Sequence, residues 1–125
     1  SCAAPCPMDT FRYRALRTGQ LTPQAAAKLL PDRATLACVW RYLASVPGGS
    51  LQESPLCLCR KIVRRSGTEL SLEQLLTCLD IFRDVGLLEE KRIHLTVAIR
   101  LRTVSGKADL TKSETMQTLL RAKES

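Results

Sequence analysis

Apolar positions change their period near residue 86. Leu72, Leu75, Leu76, Leu79, Phe82 and Val85 recur at helical spacing, and such a stripe predicts a helix lying with one side against a core. Ser71 can cap its start and Gly86 its end, the serine by accepting from an unpaired amide and the glycine by taking left-handed geometry cheaply. The repeat then shortens to two. Ile93, Leu95, Val97, Ile99 and Leu101 fall on one side, with His94, Thr96, Ala98, Arg100 and Arg102 on the other, the pattern of a strand covered on one face. Leu87 to Arg92 are expected to supply the preceding strand and the turn, so that the helix runs into a β-hairpin.

Upstream, the punctuation is clear. Thr22 before Pro23 marks a helix start, because the threonine can cap while proline at the first position gives up an amide that has no partner anyway. That short helix should end at Leu30, before Pro31. Asp32 can cap a second helix with a stripe of Leu36, Val39, Trp40 and Leu43, stopped by Pro47, Gly48 and Gly49. Leu51 sits in a short extended segment. A third helix, about Pro55 to Arg65, would turn Leu58, Ile62 and one of its cysteines inward and end at Gly67. Beyond the hairpin, Ser105 and Gly106 break the strand, and Ser113 or Thr111 can cap a last helix carrying Met116, Leu119 and Leu120.

The expected fold is α+β, mainly α, and winged-helix-like: helix, short strand, helix, helix and a β-hairpin wing, with a leading and a trailing helix. Residues 22–104 would form this unit and residues 105–125 a C-terminal helix packing on or extending it. Residues 1–21 hold two prolines and a Cys-x-x-x-Cys pair without any sustained period, which suggests a linker or inter-domain strap. Arg12, Arg14 and Arg17 in that segment could touch phosphate, although a solvated charged connector is the commoner explanation.

A chain of 125 residues is long enough for one domain that buries roughly two-thirds of its unfolded surface. No apolar run approaches the roughly 18 residues that cross a bilayer, and no charged-then-apolar leader pattern is visible. Six cysteines could form bridges, but Cys38, Cys57 and Cys78 fall within predicted helices, so reduced, mostly buried thiols in a cytoplasmic protein are expected. The net charge of +7, from 19 basic and 12 acidic residues, favours an anionic partner: nucleic acid, a lipid surface or an acidic peptide.

Candidate catalytic groups are scarce. His94 is the single histidine and is placed on the polar side of the long strand, where it reads as a solvent-exposed strand residue rather than a general base. No Asp and His constellation able to hold Mg²⁺ or Mn²⁺ is present, and Glu89 and Glu90 read as the polar approach to a turn. Gly48, Gly49 and Gly106 lack the spacing and following lysine of a phosphate loop. Cys57 and Cys59 would project about 200° apart on a helix, so they make a poor zinc pair, and Cys2 and Cys6 offer only a second pair in principle. What remains is a basic surface: Arg60, Lys61, Arg64 and Arg65 late in the third helix, with Arg92, Arg100 and Arg102 on the wing. Such a cluster can bind phosphates, or it can compensate a helix dipole. The positions of the Ser71 to Val85 helix expected to face solvent are Glu73, Gln74, Thr77, Asp80, Arg83 and Asp84, three acids against one base. A recognition helix reading a major groove would invert that balance.

Three segments, LPDRATLACVWRYL, LEQLLTCLDIFRDVGLLEE and GKADLTKSETMQTLL, together resemble the C-terminal winged-helix-like region of the bacterial RecJ single-strand-specific DNA exonucleases, especially those of Firmicutes. The likeness is carried by Leu30, Pro31 and Arg33, by Phe82, Gly86 and Leu87, and by Lys107, Asp109, Leu110 and Ser113, in order over about residues 29–120. The resemblance implies a fragment of an enzyme that degrades single-stranded DNA from its 5′ end in recombination and repair, using Mn²⁺ or Mg²⁺ held by separate DHH and DHHA1 domains. None of those catalytic motifs occurs here. The implied role is an accessory domain, without catalytic or metal residues of its own, that contacts single-stranded DNA or a partner such as single-stranded-DNA-binding protein. Two other readings stay open: a stand-alone winged-helix transcriptional regulator, and a packing domain with no direct ligand.

Overall fold

The computed structural model describes residues 21–102 and 108–124. The fold is mixed α+β and mainly helical, with one small antiparallel sheet. Among the described residues, five α-helices and three strands follow in this order: α1 (Pro23–Leu29), α2 (Arg33–Ala44), β1 (Ser50–Glu53), α3 (Pro55–Ser66), α4 (Leu72–Asp84), β2 (Leu88–Ile93), β3 (Thr96–Leu101) and α5 (Glu114–Glu124). Short 3₁₀ turns, Pro47–Gly49 and Leu110–Lys112, lead into β1 and α5.

Each helix start has a side-chain acceptor for an amide that would otherwise lack one. Thr22 Oγ1 accepts from the Ala25 amide at 3.1 Å, Asp32 Oδ1 from Thr35 at 2.7 Å and Ser54 Oγ from Cys57 at 3.1 Å. Ser71 and Gln74 form a reciprocal capping box ahead of α4. At α5, Ser113 Oγ accepts from the Met116 amide and donates to the carboxylate of Asp84, 2.7 Å away, which also accepts from the Thr115 amide at 3.0 Å. The last residue of α4 thus puts a negative charge on the positive end of α5.

The sheet order is β1-β3-β2, so β3 is central, with Leu51 opposite Ile99 and Leu88 opposite Leu101. Val97 and Ile99 enter a core shared with Leu36, Val39, Leu43, Leu58, Ile62, Leu75, Leu79 and Phe82. Trp40 meets Phe82 edge to face, with ring centroids 5.3 Å apart. A satellite cluster of Ala26, Leu29 and Leu119 fastens α1 to α5.

Two expectations need correction. The turn of the hairpin is His94 and Leu95, and Leu87 to Arg92 contain strand rather than turn. Across a two-residue turn, Arg92 faces Val97 and Glu90 faces Ile99, so the inward positions of β2 are Leu88, Glu90 and Arg92. Ile93 and Leu95 continue the two-residue repeat of β3 only in the sequence; in space they lie at the hairpin tip, 49% and 60% exposed. His94 is the turn residue that takes the left-handed conformation, φ 55°, and is therefore not on a polar strand face.

The second correction concerns α4. One buried stripe was expected, yet Leu75 through Phe82 are all buried, Thr77 and Asp80 included. The reason is that α1 and α5 cover the side that the other helices and the sheet leave open. Thr77 tolerates this by donating its hydroxyl to the Glu73 carbonyl at 2.8 Å.

The exposed cap at Asp32 makes a pH prediction. Its bonds to Thr35, the backbone amide first, hold the carboxyl below its ordinary value of 3.8. A depressed folded-state pKa contributes stability above the unfolded value that is lost as pH falls through the folded one. Asp32→Asn keeps a capping acceptor without the charge, so melting curves should show the two proteins diverging above about pH 4 and converging below it. A constant offset at every pH would exclude this role for the charge.

Candidate nucleic-acid interface

The α3 helix is amphipathic, with Leu58, Cys59 and Ile62 turned inward and Arg60, Lys61, Arg64 and Arg65 exposed. Its four cations are not equivalent. Lys61 Nζ lies 2.7 Å from Glu53 Oε2 on β1, and that bond raises the lysine pKa above its ordinary value. Arg65 donates to Ser45 Oγ at 3.2 Å, and its guanidinium carbon lies 5.8 Å from the centroid of the Tyr42 ring. Among the described residues, Arg60 and Arg64 make no ion pair. They stand one helical turn apart on the same ridge, which leaves two uncompensated charges side by side in water.

On the sheet, Arg100 projects from the outer face beside Ser50, Gln52 and Lys91, which line a shallow recess there. Arg102 lies 3.9 Å from Glu89, both more than half exposed, a pair of little energetic weight. Arg100 on β3 and Arg102 just beyond it therefore lie at the surface, apart from the α3 cluster.

Arg92 is elsewhere. Its side chain is only 9% exposed, with one terminal nitrogen 2.8 Å from Asp80 Oδ1 and 3.2 Å from Glu90 Oε1, and its Nε donates to the other Glu90 oxygen. Arg83 closes the group from the rim, 3.1 Å from Asp80 and 3.8 Å from Glu90. Arg92 was expected at the surface because Leu87 to Arg92 were expected to hold both the first strand and the turn, with the long strand beginning at Ile93. Placed at an inward position of β2, its charge is committed to two buried carboxylates and is not available to a phosphate. Glu90, read as polar approach to a turn, and Asp80, read as facing solvent, are its partners.

One further arginine belongs with the basic surface. Arg41, in the last turn of α2, shares with Arg65, Tyr42, Ser45 and Ser66 a recess of about 380 Å³. Sequence proximity could not reveal it, since the two arginines come from different helices. A separate concavity is an apolar cleft of about 790 Å³ lined by Leu36, Trp40, Leu87 and Met116, with Arg33 and Arg102 among its polar residues.

No group of three or more His, Cys, Asp or Glu is placed to hold a metal among the described residues. Cys57 is exposed while Cys59 is buried on the opposite side of α3, its thiol donating to the Leu70 carbonyl at 3.1 Å. Burial pushes the Cys59 and Cys78 thiols up, which makes them poor nucleophiles. Cys2, Cys6, Arg12, Arg14 and Arg17 lie outside the described residues. Among the described residues, no helix is long and apolar enough to cross a membrane.

The division between surface and interior cations is measurable. Arg60→Ala and Arg64→Ala should leave the free energy of unfolding within about 0.5 kcal/mol of the parent. Arg92→Ala strands two buried carboxylates, and a loss of about 3–5 kcal/mol in chemical denaturation is expected. Equal losses at all three positions would contradict the assignment.

Comparison of the chain with protein-family models, with curated proteins and with solved structures found no match.

Proposed function

We propose that this chain is a winged-helix-like accessory domain of a RecJ-like 5′–3′ single-stranded-DNA exonuclease of recombination and repair. It holds single-stranded DNA near a catalytic core that lies outside it and has no catalytic residues of its own. The observation that carries the DNA contact is the pair Arg60 and Arg64, exposed on one ridge of α3 without a carboxylate partner among the described residues. Arg65, Arg41 and the sheet-face Arg100 enlarge the same basic character. Support for the winged-helix assignment comes from the order helix, strand, helix, helix, hairpin and from β1 pairing with the hairpin's second strand. Mn²⁺ or Mg²⁺ would belong to the parent enzyme's core.

The burial of α4 weighs against the alternative of a stand-alone regulator. In a helix-turn-helix protein this helix would enter the major groove, but eight consecutive residues of it, Leu75 to Phe82, are buried. Contact with nucleic acid then falls to α3 and the outer sheet face. A strand held mainly through its phosphates gives little sequence preference.

A second reading is favoured by the apolar cleft. Trp40, Leu36, Leu87 and Met116 with Arg33 and Arg102 would suit an acidic, aromatic tail such as that of single-stranded-DNA-binding protein. The two readings are compatible, because the cleft and the α3 ridge use different side chains.

Fluorescence anisotropy with a labelled oligonucleotide across a salt series tests the DNA contact. With four to six phosphates engaged, log K should fall with log salt at a slope of roughly −3 to −4. Replacing Arg60, Lys61, Arg64 and Arg65 together by alanine should flatten it. Absence of binding at low salt would leave the packing role in front, and preference for a duplex operator would favour the regulator.

A further inference from the structure

We infer that the recess between the C-terminal turns of α2 and α3 seats one nucleotide of a single strand, its phosphate on Arg41 and Arg65 and its base on the Arg65 and Tyr42 stack. The inference rests on the DNA-binding reading above and assigns it a place. The recess, about 380 Å³, is lined by both arginines, Tyr42, Ser45 and Ser66, and no residue lining it is acidic. A recess of that volume has room for one nucleotide.

The C-terminal ends of two helices would ordinarily repel a phosphate, because their last carbonyls are unpaired and carry partial negative charge. Here several carbonyls near the helix ends are taken. The Ser45 amide donates to Arg41 O and Tyr42 O at 3.2 and 3.1 Å, and the Ser45 hydroxyl also donates to Tyr42 O at 2.7 Å. On α3 the Ser66 hydroxyl donates to Ile62 O at 2.7 Å and the Gly67 amide to Val63 O at 2.8 Å. That lowers the partial negative charge at the mouth, where Arg41 and Arg65 are the charged lining residues.

Arg65 is also preorganised. Ser45 Oγ accepts from one terminal nitrogen at 3.2 Å and the Tyr42 ring lies beneath the guanidinium, so less side-chain freedom is lost when a ligand binds. One hydrogen bond uses one of five N–H donors, which leaves a fork for a phosphate. A guanidinium lying over an aromatic ring has a second planar face, the surface on which unpaired bases stack. Single-stranded nucleic acid supplies both the phosphate and the free base; a duplex hides the base, and inorganic phosphate lacks it.

The test uses the 125-residue chain with a fluorescein-labelled oligothymidylate, and the same oligonucleotide carrying 5-iodouracil for photocrosslinking. Circular dichroism melts establish that each variant is folded. Arg41→Ala and Arg65→Ala should each make the salt slope shallower by about 0.7, one phosphate contact. Arg65→Lys should keep the slope and still weaken binding about fivefold or more, because charge is retained while stacking is lost. Lys123→Ala, on the last turn of α5, should bind like the parent. The crosslink should map to the peptide containing Tyr42. Parent-like affinity and slope in both Arg41→Ala and Arg65→Ala, with the parent binding normally, would overturn the recess while leaving the functional reading intact. A parent chain that fails to bind at the lowest salt would instead remove that reading itself, and the recess with it.

Discussion

The guanidinium of Arg92 lies between the carboxylates of Asp80 and Glu90, and through it the hairpin is tied to α4. All three side chains are almost wholly buried, so none has water as an alternative partner. Taking such charges out of water is expensive, and their mutual attraction offsets the expense only when geometry and hydrogen bonding are good. Here the group is nearly self-compensating: two carboxylates, one buried guanidinium, and a second guanidinium, Arg83, at the rim. The gain is register. Sliding β2 by one residue would turn Leu88, Glu90 and Arg92 outward together and strand Asp80 in the core with only the half-exposed Arg83 beside it. Apolar burial alone specifies this strand weakly, since Leu88 is the single large apolar side chain it sends into the core.

With the hairpin held to α4 through Asp80, and with Asp84 one turn further along the same helix capping α5, one helix organises both the hairpin and the last helix. α4 is consequently enclosed. This helix is the centre of the core, and exposed cations lie instead on α3 and on the outer face of the sheet. The proposed interface follows from that placement: a ridge of arginines on α3, a recess shared with α2, and cations on β3.

Much of the fold was legible because local signals were strong and agreed with one another. Thr22, Asp32 and Ser71 cap the helices they were expected to cap, and Ser113, one of two candidates, caps the last. Gly67 and the Pro47 to Gly49 stop act where expected, and Val97 and Ile99 enter the core. The failures share one cause. Periodicity sees apolar side chains, whereas β2 is specified by charged ones facing inward. Glu90 and Arg92 looked like surface, so the first strand and the turn were both fitted into Leu87 to Arg92 and the apolar alternation was read through the true turn at His94 and Leu95. Asp80 and Thr77 were placed in solvent for the same reason. On the candidate site, the α3 cluster was legible as a run of adjacent cations, but Arg41 was not, because its neighbour Arg65 is brought to it only by the packing of two helices.

The central claim is that Arg92 and Asp80 stabilise the fold jointly rather than separately. A double-mutant cycle measures this most directly: Asp80→Ala, Arg92→Ala and the double variant, compared with the parent by equilibrium denaturation at neutral pH. The account predicts a coupling free energy of at least about 1 kcal/mol, with the double variant recovering part of the loss suffered by each single one. Strict additivity, a coupling indistinguishable from zero, would contradict it.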